Sequence, residues 1–228
     1  MSWLMPAETA PQDRIWMAFP REGQTLGETL TEREAGYAAW AHVANTIAEF
    51  QPVSIVVDPT EMARAKQMLS AEITIHERTI DDFWMRDSGP TFVHDTDGKL
   101  AAVDWGGGDW TASGNDRDLA RFIADLEGVP VVPSLLVNEG GGIHVDGQGT
   151  ILLTETVQLD PGRNPNLDRT RVAEEIARTL GTTKAIWLPR GLERDYETFG
   201  TRGHVDIVAC LPAPGVILLH DQRDPSHP

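Results

Sequence analysis

The stretch Gly203-His204-Val205-Asp206 repeats the His-Val-Asp of Gly142-Ile143-His144-Val145-Asp146, sixty residues earlier. Each copy follows a helical pattern and a short apolar run, and each precedes a hairpin signal. Ahead of the first copy, Asn115 or Asp116 is placed to cap a helix carrying Leu119, Phe122, Ile123 and Leu126, closed by Gly128. Val129–Val132 then reads as a strand, and Gly147-Gln148-Gly149 turns the chain into Thr150–Thr154. Ahead of the second copy, Asp168 starts a helix with Val172, Ile176 and Leu180, closed by Gly181, and Ala185–Leu188 reads as a strand. Beyond it, a strand running to Cys210 turns at Pro212-Ala213-Pro214-Gly215 into Val216–Leu219.

The same order is present once more, upstream. Ile15–Phe19 is an apolar run stopped by Pro20. Thr31-Glu32-Arg33-Glu34 has the form of a capping box, ahead of Tyr37, Trp40, Ala41, Ala44, Ile47 and Ala48 at helical spacing, to about Phe50. Val53–Val57 is a buried strand, Thr60 begins a short helix with Met62, Ala65 and Leu69, and Ile73-Thr74-Ile75 is strand-like. The loop Trp84-Met85-Arg86-Asp87-Ser88-Gly89-Pro90 follows as a tight turn at the end of that buried strand. A hairpin then turns at Asp97-Gly98 between Thr91–His94 and Leu100–Val103. Units of this size that cannot bury their own apolar faces need neighbours. The pattern predicts an α/β fold of modules around a common centre, each loop delivering its polar residues to one place.

At 228 residues the chain is one large domain or two small ones. A net charge of -16 argues against nucleic acid as a partner, because phosphate binding needs a basic surface. It agrees with attraction of small cations. A single cysteine, Cys210, excludes an internal disulfide and fits a reducing compartment. The N-terminus has neither a basic start nor an apolar run, and no stretch approaches the roughly 20 apolar residues of a membrane span. These features predict a cytoplasmic protein without a membrane partner.

Three loops carry chemistry. Trp84, Arg86 and Asp87 offer an aromatic plate and a carboxylate, which suit the flat face and two-pronged edge of a guanidinium; a surface Arg86–Asp87 pair beside a half-buried tryptophan is the plain alternative. Glu139-Gly140-Gly141-Gly142 lets backbone approach something closely while presenting one carboxylate, or is a flexible surface turn. His204 and Asp206, two apart on a strand, would face the same space as an acid/base pair for a cationic substrate. A histidine capped by its neighbour is the structural alternative. The pairs His144/Asp146 and His204/Asp206 also offer four ligands to a divalent metal, although no helical His-x-x-x-His spacing supports it. Cys210 lies six residues past His204, roughly 20 Å along a strand at about 3.3 Å per residue, too far for that base to serve it as a nucleophile.

Five motifs in order carry a resemblance over nearly the whole chain: Trp84–Pro90, Asn138–Gly147, Thr156–Pro165, Ile186–Gly191 and Gly203–Asp206. Together they resemble the agmatine deiminase family, grouped with bacterial-type peptidylarginine deiminases among guanidine-modifying enzymes. The resemblance implies a pentein-type α/β propeller of ββαβ-like modules, here one domain over 1–228. Asp87 and Asp206 match the carboxylates that hold a guanidinium, His204 the general acid/base, Glu139 the acid supporting it, and Trp84 an aromatic residue lining the substrate site. The implied reaction converts agmatine to N-carbamoylputrescine and ammonia, within putrescine biosynthesis, through thiolate attack on the guanidinium carbon and hydrolysis of the adduct. No metal or organic cofactor is implied. Arginine or peptidyl-arginine as substrate, or guanidinium binding without catalysis, stand as alternatives, and a homo-oligomer is left open.

The family's nucleophile sits near its C-terminus in a Gly-Ile-His-Cys stretch. Gly142-Ile143-His144-Val145 has valine at that place and belongs to the Glu139 loop, so the 228 residues are expected to be incomplete at the C-terminus and inactive alone. Arg202 stands where many members carry an acid, and Gly106-Gly107-Gly108-Asp109-Trp110 is shorter and richer in glycine than the family's continuation.

Overall fold

The computed structural model describes residues 2–106, 114–197, 200–224 and 226. Its contacts divide the chain into two compact units: Pro11–Met85 with Gly114–Asp116, and Met1–Ala10 with Arg86–Ser113 and Arg117–Pro228.

The first of these units is a three-stranded parallel sheet. Ile15–Ala18 forms β1, Leu30–Ala48 forms α1, Val53–Val57 forms β2, Met62–Met68 forms α2 and Thr74–Glu77 forms β3. The sheet order is β1-β2-β3, with Ile15 opposite Val53 and Ile55 opposite Ile75. All five residues of β2 are buried, as a parallel strand covered on both faces requires. The capping box of α1 uses Thr29 and Glu32, two residues earlier than the sequence pattern suggested: Thr29 Oγ1 accepts from Glu32 N at 3.2 Å, and Glu32 Oε2 accepts from Thr29 N at 2.9 Å. Both pairs have the same three-residue spacing, and pattern alone cannot choose between overlapping boxes. Trp40, Phe83 and Trp84 pack ring on ring, with centroids 4.8–5.7 Å apart. β3 is an edge strand with exposed and half-buried residues, where a buried strand was expected.

The second unit repeats one module. Trp84 leads into a single helical turn, α3 (Met85–Ser88), in place of the expected bare turn. In the first module, β4 (Thr91–His94) and β5 (Leu100–Asp104) form an antiparallel hairpin; α4 (Leu119–Glu127) then carries the chain to β6 (Val131–Pro133), parallel to β5. In the next, β7 (Ile143–Val145) and β8 (Thr150–Thr154) pair antiparallel, and α5 (Glu155–Gln158) and α6 (Arg169–Leu180) lead to β9 (Lys184–Leu188), parallel to β8. The order ββαβ therefore occurs twice. A third hairpin follows, β10 (Ala209–Ala213) with β11 (Val216–Leu219).

The two complete modules share a core. Val93, Val103 and Val132 of one meet Ile143, Ile151 and Leu153 of the next, together with Val172, Ile176 and Leu180 from α6. Burying such side chains stabilises by about 1.5–3 kcal/mol each. Residues 3–8 lie across this unit: Leu4 exchanges hydrogen bonds with His94, and Met5 N donates to Leu180 O at 3.0 Å.

Several sequence expectations change here. Asp168 caps α6 as read, but neither Asn115 nor Asp116 caps α4, whose N-cap position is Asp118. The carboxylate of Asp116 instead accepts from Asp81 N and Asp82 N at 2.8 and 2.9 Å. His204-Val205-Asp206 is not a strand; the chain turns at 206–208 before β10 begins. The reach estimate that separated Cys210 from His204 therefore loses its straight-strand basis. The glycine-rich stretch after Gly106 falls outside the described residues.

Candidate active site

Three segments of the second unit meet around Gly141. The turn of α3 presents Asp87, the single 3-10 turn Gly140–Gly142 follows Glu139, and the loop before β10 carries His204 and Asp206. Gly141 N donates to Asp87 Oδ1 at 2.9 Å, and Asp206 N donates to Gly141 O at 3.2 Å. A Cβ built on Gly141 would point at His204 Nδ1, at Asp87 Oδ1 (2.8 Å) and at Asp206 Oδ2 (3.0 Å). Two carboxylates and an imidazole nitrogen thus converge on a place that only a hydrogen side chain leaves open.

His204 is 3% exposed and Glu139 is fully buried. The ring is held at both ends: Nε2 lies 3.1 Å from Glu139 Oε2, and Nδ1 lies 3.7 Å from Asp87 Oδ1. Glu139 Oε2 is also paired with Arg163 NH1, whose NH2 donates to Thr201 O at 2.9 Å. The pairing explains how a carboxylate tolerates full burial. A flexible surface turn at 139–142 is excluded, since all four residues are buried.

Burial pushes the Asp87 carboxyl up to about 6, with Glu139 and Asp206 adding to the rise and His204 and the Gly141 N–H opposing it. Burial works against the charged His204 ring. The Glu139 hydrogen bond and the charges of Asp87, Glu139 and Asp206 outweigh it, and the histidine ends above its ordinary 6.5. Asp206 lies at the surface, yet partial desolvation still raises its carboxyl, against the pull of His204 and Arg86. A cation placed among Asp87, Asp206 and His204 would be held by the first two. The histidine is hydrogen-bonded to a buried acid, as a group that moves protons near neutrality requires.

Arg86 does not form the surface pair with Asp87 weighed above. Its guanidinium takes Glu8 in a two-pronged contact, NH1–Oε1 and NH2–Oε2 both at 2.8 Å, which leaves Asp87 to the Gly141 peptide and His204. Trp84 belongs to the other unit, in the Trp40–Phe83 cluster. His144 and Asp146 do not join His204 in a metal-holding group. Asp146 accepts from Gln148 N and Thr150 N at 2.8 and 2.9 Å to close the β7–β8 turn. Among the described residues no three His, Cys, Asp or Glu converge as metal ligands. Cys210 is half-buried on β10, opposite Leu218.

The sequence reading missed Arg163, Asp195 and Glu8. Arg163 stands in the quoted stretch Thr156–Pro165 and Glu8 near the start of the chain, but nothing in a sequence shows that a buried acid needs a cation supplied from a distant segment. Arg202 has a positive φ of 69° and an ion pair with Asp160 at 3.2 Å.

Fold and site define a mixed α/β protein built on ββαβ modules, with a carboxylate-flanked histidine in its larger unit. The family model of Porphyromonas-type peptidyl-arginine deiminases matches residues 4–228, and the chain belongs to that family. A Streptomyces coelicolor protein provisionally named an agmatine deiminase is 52% identical, over 100% of this chain and 68% of its own length. The agmatine deiminase of Ectopseudomonas mendocina is 38% identical over 98% of this chain and 62% of its own. The solved agmatine deiminase of Enterococcus faecalis matches 99% of this chain and 62% of its own with a TM-score of 0.89 at 33% identity. The chain thus spans about two thirds of the length of these relatives.

Proposed function

We propose that the chain is the guanidinium-holding part of an agmatine deiminase-type hydrolase, organised as a pentein-type propeller within one domain. The observation that carries this reading is the convergence of Asp87, Asp206 and His204 at Gly141. Asp87 and Asp206 hold the planar cation and His204 handles the proton. Glu139 keeps the imidazole oriented and basic. In this reading a thiolate attacks the guanidinium carbon and ammonia leaves with a proton from His204. Water activated by the same ring then releases the ureido product and the thiolate. Agmatine, giving N-carbamoylputrescine on the way to putrescine, is favoured over arginine or peptidyl-arginine by the relatives' names. The lone cysteine of the 228 residues fits a cytoplasmic setting.

Gly142-Ile143-His144-Val145 carries valine where the Gly-Ile-His-Cys stretch has its nucleophile, which supports a second reading: these 228 residues bind a guanidinium and do not turn it over. Calorimetry with agmatine, free arginine and an arginyl peptide, alongside an assay for ureido product, tests both. Binding of agmatine ahead of the others without product is the expected result for this polypeptide. Binding of none of the three removes both readings, preference for the peptide overturns the substrate, and detectable hydrolysis overturns the inactivity.

A further inference from the structure

The loop that delivers His204 has little regular structure of its own, and its backbone is unusual. Arg202 and Gly203 both have positive φ, 69° and 104°. Arg202 is the non-glycine residue held in that region among those described, a conformation that survives only where surroundings impose it. One residue does so. Every backbone N–H from Thr201 to His204 donates to Asp195. Thr201 N goes to Oδ1 at 2.9 Å, Arg202 N to the main-chain carbonyl at 2.9 Å, and Gly203 N and His204 N to Oδ2 at 2.8 and 2.9 Å. The Thr201 hydroxyl adds a 2.6 Å bond to Oδ2. Asp195 itself sits on a single 3-10 turn, Glu193–Tyr196, and the hydroxyl of the next residue stands directly against Gly203. Tyr196 Oη lies 2.8 Å from Thr156 Oγ1 and accepts from Gly191 N at 3.0 Å, while Thr154 Oγ1 donates to Gly203 O at 2.6 Å.

We infer that Asp195 is a positioning residue for His204: its carboxylate gathers the amides of Thr201, Gly203 and His204 and so fixes the imidazole between Glu139 and Asp87. Three donors on one oxygen need an ionised carboxylate. A carboxamide offers one acceptor oxygen and turns N–H donors against the rest. The hydrogen bonds hold the Asp195 carboxyl below the usual carboxylate range despite its partial burial, so the charge is present at neutral pH. The role assigned to Asp195 deepens the function proposed above and rests on His204 being the proton-handling group.

The test is an NMR titration of the His204 side chain in the 228-residue protein, with Asp195→Asn, Asp195→Glu and Asp168→Ala. Asp168 also holds a backbone amide, Arg171 N at 2.9 Å, but at the cap of α6, so its loss weakens the fold without touching the loop. Asp195→Asn is expected to move the His204 titration down toward 6.5 and to lose the signature of the Glu139-bonded nitrogen. Asp195→Glu should restore part of both, and Asp168→Ala should leave both unmoved. An unshifted titration in folded Asp195→Asn, or an equal shift in Asp168→Ala, overturns the inference. Should the Asp195 variants not fold, hydrogen exchange on the unaltered protein decides: protected amides at Thr201, Gly203 and His204 support it, and freely exchanging ones overturn it. Agmatine calorimetry on the same samples separates the two levels. If unaltered protein binds no guanidinium while the titration shifts as expected, the functional reading fails and the positioning role stands.

Discussion

Asp87 and His204 both favour a cation at Gly141 more strongly once deprotonated, which fixes the sign of the pH effect expected for the proposed binding. With its carboxyl at about 6, Asp87 is largely neutral below that pH and cannot pair a guanidinium. His204, protonated below its raised pKa, adds a like charge. Agmatine affinity is therefore expected to rise with pH through about 6 and on toward neutrality, Asp87 alone contributing up to about tenfold per unit on the acid side, and calorimetry between pH 5 and 8 checks it. For Asp87→Asn the Asp87 part of that slope should vanish along with most of the binding. A flat profile in the unaltered protein would contradict the holding role. Removing either carboxylate leaves a guanidinium half-paired, so Asp87→Ala and Asp206→Ala should each weaken agmatine about ten- to a hundredfold, while unaltered affinity in either case removes that residue from the site. By linkage, the raised Asp87 carboxyl also makes the fold lose stability as pH climbs from 3.8 to about 6, because the native state then holds a proton that the unfolded chain has released.

At the scale of elements, two helices end alike and differ in what lies behind them. Gly128 closes α4 at φ +66° with nothing within 4 Å of a built Cβ, and Gly181 closes α6 at φ +70° against the carbonyl of Trp3. Gly128→Ala should cost about 1–2 kcal/mol, the ordinary left-handed penalty. Gly181→Ala should cost clearly more, because backbone 3–5 has to move and the Met5–Leu180 hydrogen bond goes with it. Urea unfolding of the two variants compares them, and equal losses would mean that residues 3–5 do not pack on α6 in solution. Both caps were legible in the sequence, because a glycine after a helical apolar pattern is a local signal. The collision behind Gly181 was not, since Trp3 comes from the far end of the chain.

For the molecule as a whole, the third hairpin differs from the first two. β5 and β8 each gain a parallel neighbour, β6 and β9, whereas β11 pairs only with β10 among the described residues. Its four residues, Val216–Leu219, are 45–61% exposed, an apolar strand with one open edge. The 228-residue polypeptide is expected to self-associate through it, and Ile217→Lys with Leu219→Lys should shift sedimentation toward monomer without altering agmatine affinity. A polypeptide already monomeric at high concentration would show that this edge is not adhesive.

The sequence by itself determined what is local. β2, β4 and β8, the cap of α6, the two glycine stops and the hairpins were readable because periodicity and turn chemistry act over a few residues. It also named Asp87, Glu139, His204 and Asp206, since their loops recur in order and match a family. Tertiary structure alone decided how those loops work. His204 and Asp206 face one place although no strand aligns them, because Gly141 receives both. Arg86 leaves Asp87 free because Glu8, seventy-eight residues earlier, takes it. Glu139 can be buried because Arg163 reaches it, and His204 is held because Asp195 gathers the loop. Glu139 and His204 are polar groups removed from water whose partners lie elsewhere in the chain, and a buried group's need for a partner does not say which residue will meet it.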